Sequence, residues 1–289
     1  MADTNNVIYS QQYSENIMQL AQQEKSKLWD KVFQKTNVTS KHFFQDQIGE
    51  WSMKAKAGRN PNTPSSDPAL ARRMAIMLDY HDNVMLDRSD ELKIISDPRS
   101  SYTIAASKAI GRQIDDSIIA ALGGDAKTGE TGSTTTALPS TQKIVNGSTG
   151  LTFAKVKLAQ RMLNDKDVEE EERVFVTSPN GIEDLLGQVE ATSSDYNTLH
   201  AIQDGTFSGK SWMGFEWVMS TRLDVASSIR ECFAFHKNGL CAGLPALPFV
   251  RTDERADKSY SWQVYYELNI GATRLEENRV VQVDIDEVA

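Results

Sequence analysis

The chain has 289 residues, enough for a substantial core in one large or two small domains. With 40 acidic against 31 basic side chains and a formal charge of -9, it is poorly suited to a sequence-independent grip on DNA or RNA. Such affinity comes from Lys and Arg displacing counterions, although a protein that encloses nucleic acid without sticking to it could well be acidic.

Residues 1–38 are rich in Gln, Asn, Ser and Lys, with Ile17, Leu20, Leu28, Trp29 and Phe33 as scattered anchors. Ile17, Leu20 and Leu28 can line a helical stripe, but so polar a segment builds no core alone, and an arm docked on something else is expected. Phe43, Trp51 and Met53 then share one parity over 39–53, and Met74, Ile76, Leu78 and Tyr80 do so over 72–80. The intervening AKAGRNPNTPSSDP excludes a regular element, so the pattern predicts an extended hairpin with a long tip. Its Trp and Met side chains have little local core to bury against, which points to a partner surface.

DPRSSYTIAASKAIGRQIDDSIIAALGG is the strongest helix: Asp97 can cap it, Pro98 suits its first position and Gly123 stops it. Ala106, Ile110, Ile114, Ile118 and Leu122 recur at helical spacing, with Arg112, Asp115 and Asp116 assigned to the polar side. Residues 123–150 read as a long loop without structure of its own. A helix over Thr152 to Asn164, the strand RVFVTS and a helix opened by Pro179 predict a compact mixed subdomain. Strands follow at WMGFEWVMS and RECFAFH, with a helical turn over Lys237 to Leu244. Finally, Trp262 to Ile270 and Val281 to Ile285 alternate strongly and are expected to be antiparallel neighbours.

Little in the sequence converges on catalysis. GTFSGKSW imitates a phosphate-binding loop, but only Thr206, Phe207 and Ser208 separate its glycines before Lys210 and Ser211, and a turn into a strand explains it better. His42, His81, His200 and His236 are scattered, without the spacing that puts two ligands on one metal. Ser178 lacks a nucleophile elbow and reads as a helix cap, Asp115 and Asp116 are adjacent and so do not face each other, and Glu169 to Glu172 reads as a solvated face. Cys232 and Cys241 read as buried thiols of a reducing compartment. No catalytic, cofactor or metal residue is assigned, and no enzymatic activity is expected. No stretch approaches the ~20 apolar residues of a bilayer span, and MADTNNVIYSQQYSENIMQ lacks a basic region followed by an apolar run, so a soluble protein without a membrane partner is expected.

The order of these elements resembles the major capsid protein of a tailed bacteriophage over nearly the whole chain. DNVMLDRSDELKIISDPRSSY leading into the long helix and the closing GATRLEENRVVQVDI carry most of the likeness, with GKSWMGFEWVMSTRL in support. The resemblance implies an α+β fold of five parts: an N-terminal arm (1–38), an extended β-hairpin loop (39–86), a peripheral domain with the spine helix (87–123), an axial domain (124–250) and return strands of the peripheral domain (251–289). It implies self-association into pentamers and hexamers of an icosahedral shell around double-stranded DNA, assembly in the host cytoplasm and residence in the virion. A separate scaffolding protein and a portal are implied partners, and a decoration protein is a further candidate. Expected inter-subunit contacts are Trp29, Phe43, Trp51, Met53, Lys54, Lys56, Arg59, Arg72, Arg73, Met74 and Met77, the basic members pairing with an acidic neighbour. Alternatives are an encapsulin-type compartment, which encloses an enzyme cargo in the same fold, a nucleotide-binding enzyme built on Lys210, and a monomeric adhesion domain.

Overall fold

The computed structural model describes residues 21–87, 99–188, 211–245 and 248–287. Ile17, Leu20, Asp97, Pro98, His200 and the stretch from Gly205 to Lys210 lie outside them.

In chain order, a 3-10 turn at Trp29–Lys31 leads into β1 (Phe33–Thr36). The hairpin strands are β2 (His42–Ile48) and β3 (Leu70–Ile76), followed by β4 (Leu78–Leu86) and the long helix α1 (Arg99–Gly123). Three short strands follow, β5 (Ala126–Thr128), β6 (Thr134–Thr136) and β7 (Lys143–Ile144). Helix α2 (Phe153–Asn164) starts where the Thr152 hydroxyl accepts from the Lys155 N–H. Next come β8 (Arg173–Thr177) and α3 (Pro179–Leu186), which Ser178 caps by accepting from the Gly181 N–H. The remaining strands are β9 (Ser211–Trp212), β10 (Phe215–Met219), β11 (Val225–Ala226), β12 (Ile229–His236), β13 (Leu240–Leu244), β14 (Phe249–Arg255), β15 (Ser261–Arg274) and β16 (Val280–Asp286).

The chain divides into two compact units, one drawing on Asp79–Gly111 and Pro248–Leu268, the other on Ser26–Leu78, Arg112–Leu247 and Asn269–Ala289. In the smaller unit β15 pairs with β4 and, antiparallel, with β14, from Phe249 opposite Glu267 to Arg255 opposite Ser261. Alternation along β15 buries Val264 and Leu268, while the Tyr265 ring lies 6.3 Å from His81 and 6.5 Å from Phe249, and the Tyr266 hydroxyl donates to Asp82.

The larger unit holds a seven-stranded sheet ordered β7-β16-β12-β8-β10-β9, with β11 paired to β12. Its core is aromatic: Phe175 stacks on Trp217 at 4.5 Å and meets Phe215 edge-on at 5.7 Å, all three fully buried. A second sheet, β2-β3-β5-β6, carries the hairpin. Elsewhere β1 runs parallel to β13, and β13 antiparallel to the last residues of β15.

Several expectations need correction. The segment 123–150 is no featureless loop, since β5 and β6 pair and extend the hairpin sheet. β15 and β16 are not neighbours, because a 3-10 turn at Glu277–Arg279 carries the chain from one set of strands to the other. A matching turn at Lys237–Gly239 does the same between β12 and β13, so β12 pairs with β16 and β13 with β15. The helical turn expected over Lys237 to Leu244 therefore covers only its first residues. The strand expected over WMGFEWVMS is a tight hairpin instead, with Met213 and Gly214 both at positive φ between β9 and β10. The strand expected over 72–80 breaks at Met77, whose N–H donates to Lys41. Residues 26–38 are no free arm: Leu28 and Val32 are fully buried, Val38 nearly so, and β1 is a paired strand.

Candidate inter-subunit surface

The hairpin is organised by its register. β2 and β3 pair antiparallel from His42 opposite Ile76 to Ile48 opposite Leu70, and Gly49 extends the ladder by donating to the Ala69 carbonyl at 2.7 Å. Phe43 and Ala75 face each other and turn inward, joining Val38, Met77, Cys241 and Leu275 in a small core. That packing uses a missing side chain: a Cβ on Gly243 would stand 2.5 Å from the Phe43 ring. Met74, on the other face, is covered by Gly132, where a Cβ would lie 2.3 Å from its methyl carbon.

Phe43, Met74 and Met77 are thus 5%, 7% and 9% exposed, and the expectation that they lack a core within the chain is wrong. Arg73 is buried as well, its Nε donating to the Leu275 carbonyl and a guanidinium nitrogen to Glu277 at 2.7 Å. Toward the tip the opposite face, that of Phe44 and Met74, reaches solvent. Ile48 is 74% exposed and Leu70 78%, and both escaped the reading from sequence, which followed Phe43 in the first strand and began the second at residue 72. The signal was the alternate register itself, since Phe44, Asp46 and Ile48 share a face. Between them Arg72 pairs with Asp46 and lies 5.4 Å from the centre of the Phe44 ring. The hydrogen bond from Arg72 holds the Asp46 carboxyl below its ordinary range and raises the guanidinium in turn.

Beyond Gly49 the chain leaves the sheet, and no side chain there is buried. Trp51 is 70% exposed and Met53 fully so, while Lys54, Lys56 and Arg59 are also exposed. The Trp51 indole donates to the Ser66 hydroxyl at 3.3 Å, and an open indentation is lined by Trp51, Met53, Lys54 and Pro64. Trp29 sits apart from this group, half-buried in its 3-10 turn.

Two buried charges fix the body from which the hairpin extends. Asp115, assigned to the polar side of the helix, is fully buried and accepts from the Ser26 hydroxyl at 2.6 Å and from the Lys27 and Leu28 N–H groups. One carboxylate thereby fastens the entry of the chain to α1. Arg274, of the GATR stretch, is also fully buried and donates to the carbonyls of Leu122, Gly124 and Thr136. Those of Leu122 and Gly124 belong to the end of α1, where a cation complements the helix dipole. Gly271 of the same stretch lets a neighbouring turn pass, since a Cβ would stand 2.7 Å from the Ile76 carbonyl oxygen.

The acidic run is not simply solvated. Glu169 pairs with Arg279 and Glu172 with Lys237 at 2.7 Å, and these partners hold both carboxyls below their ordinary range. Asp116 likewise pairs with Arg222. Cys232 and Cys241 are buried free thiols, pushed up by burial to about 11 and about 12. No cluster of metal-ligating side chains and no helix long and apolar enough to cross a membrane occurs among the described residues.

Comparison with known proteins bears on this arrangement. The capsid of Ralstonia phage GP4 is similar in structure with a TM-score of 0.74 at 10% identity, covering 99% of this chain and 97% of that one. The cyanophage Pam1 capsid gives 0.74 at 13% identity over 99% of both chains. The capsid of cyanophage P-SCSP1u gives 0.71 at 15% identity, covering 96% of this chain and 92% of that one. No curated protein sequence matches. At such identities the likeness shows a shared fold, that of tailed-phage major capsid proteins. The sequence itself matches the model of the phage capsid protein family over residues 6–287, and the chain belongs to that family.

Proposed function

We propose that this major capsid protein works by self-association: copies form pentamers and hexamers that close into an icosahedral shell around double-stranded DNA. The observation that carries this reading is the hairpin, whose base is locked into the chain's own core while Ile48, Leu70, Trp51 and Met53 remain open. Apolar side chains on a projecting element are natural contacts for another copy, and a shell multiplies weak contacts because each subunit engages several neighbours. The exposed Lys54, Lys56 and Arg59 would meet acidic surface there, in keeping with a chain of net charge -9.

In this reading residues 1–38 are the arm, anchored to the chain's own body through 26–38, with 39–86 the extended loop, 87–123 the peripheral domain with its spine helix, 124–250 the axial domain and 251–289 the returning strands. A separate scaffolding protein and a portal take part in assembly in the host cytoplasm, and a decoration protein is a candidate for the outside of the virion. The acidic balance suits enclosure of DNA without base-specific binding. Size-exclusion chromatography over rising concentration, followed by electron microscopy of the excluded fraction, tests the proposal. Hollow polyhedral particles are expected, and a monomer at every concentration would overturn it.

A further inference from the structure

The sequence contains three Asn–Gly steps, at Asn146, Asn180 and Asn238. An Asn side chain followed by glycine faces a backbone nitrogen with no Cβ to shield it, so attack of that nitrogen on the amide carbon depends mainly on how freely the backbone can turn. The fold treats the three steps very differently.

Asn180 lies in the first turn of α3, where the Gly181 N–H donates to Ser178 at 3.1 Å. Space is closed there too, since a Cβ on Gly181 would stand 2.4 Å from the Thr177 hydroxyl oxygen. Asn238 lies in the 3-10 turn after β12, its own N–H donating to His236 Nδ1. Gly239 is buried beside it, and a Cβ would stand 2.9 Å from Cβ of Arg279. Asn146 alone is in an open turn. Gly147 is exposed, has φ +57° and has no other group within 4 Å of where a Cβ would be. The turn closes through the Thr149 N–H, which donates to the Asn146 carbonyl at 3.1 Å. Among the described residues no hydrogen bond engages the Asn146 side-chain amide or the Gly147 N–H.

We infer that Asn146 is a site of spontaneous covalent modification, through a succinimide, in the folded protein. The Gly147 nitrogen adds to the Asn146 side-chain amide carbon and gives its proton to water, and the side-chain nitrogen takes up a proton from water and leaves as ammonia. Water then opens the ring. Cleavage at the side-chain carbonyl gives aspartate, and cleavage at the main-chain carbonyl gives isoaspartate, with the backbone rerouted through Cβ. Each product replaces a neutral amide with a carboxylate and adds a negative charge to the turn.

That turn is tied to the body of the protein by the Asp286 N–H, which donates to the Thr149 carbonyl at 3.1 Å, and by one side chain. The buried Lys155 ammonium donates to the carbonyls of Asn146 at 2.8 Å, Thr149 and Gly150 at 2.9 Å, and Asp284 on β16 at 3.1 Å. Modification therefore brings an anion to the segment whose carbonyls already hold a cation. The isoaspartate form also lengthens the backbone inside this tether.

The purified native protein, incubated warm at mildly alkaline pH and digested at intervals, tests the inference by mass spectrometry of the three peptides. Acid in place of amide is expected at Asn146, with Asn180 and Asn238 slower by roughly tenfold or more because each requires local opening first. In denaturant the three rates should converge, which assigns the selectivity to the fold. Asn146→Gln should remove the acidic species that accumulates on isoelectric focusing of the native protein. Equal rates at the three sites in the native state, or an unmodified Asn146 where the denatured chain reacts, would overturn the inference.

Discussion

Arg274 shows how much one side chain can hold together. With its guanidinium shared among three main-chain carbonyls, replacing it with Met leaves buried acceptors unpaired and the Glu277 carboxylate with Arg73 as its remaining cation. Arg274→Met is expected to cost about 3 kcal/mol or more in chemical denaturation, with Arg274→Lys in between. His236 offers a test with a defined pH window. It is 3% exposed, accepts from the Asn238 N–H through Nδ1, and is held neutral chiefly by burial, with Arg279 and Arg173 also opposing its charge and Glu169 and Glu172 favouring it. Its folded pKa lies below the ordinary 6.5, so on acidification the unfolded chain takes up the proton first. This contribution to stability is complete above that value and is lost as pH falls through it toward the folded pKa. Between about pH 7.5 and about pH 5.5, His236→Asn should flatten the decline in unfolding midpoint that the unaltered protein shows. Neither residue could be assigned its role in advance. Arg274 alternates in a strand like any other residue, and its partners at Leu122, Gly124 and Thr136 are remote in sequence.

At the scale of elements, the hairpin separates two kinds of apolar surface. Phe43→Ala opens a cavity beneath β2 and is expected to destabilise the fold by about 3–5 kcal/mol, read from denaturant unfolding. Trp51→Ser with Met53→Ser should change that same measurement by no more than about 0.5 kcal/mol, because neither side chain is covered within the chain, while reducing particle yield. The reverse pattern would place the functional surface at the base rather than the tip. The hairpin, the long helix and seven of the sixteen strands (β2, β3, β8, β10, β12, β15 and β16) were legible because their patterns are local: alternation in SYSWQVYYELNI, and the series Ala106, Ile110, Ile114, Ile118 and Leu122, all of them buried. What covers each face was not. Period two defines two faces of β2 without saying which meets a core, and here the choice is made by Gly243 and Cys241 far along the chain. Strands β5 and β6 are short and largely of Thr, too brief for a periodic signal. β15 and β16 alternate so similarly that only the 3-10 turns joining the strands reveal that each pairs elsewhere.

In the whole molecule a well-packed core supports a hairpin tip whose surface is of mixed apolar and basic character. Charge should influence assembly more than folding. Replacing Lys54, Lys56 and Arg59 with Gln is expected to leave the unfolding midpoint unchanged and to slow particle formation at low salt, with the difference shrinking as ionic strength rises, as light scattering would show. Contacts among copies decide the matter, and an electron cryomicroscopy map of particles formed by the purified protein measures them most directly. The prediction is a closed polyhedral shell in which Trp51 and Met53 of each subunit are covered by another copy. A shell in which both side chains stay open to solvent, or a preparation holding only single subunits, would contradict it.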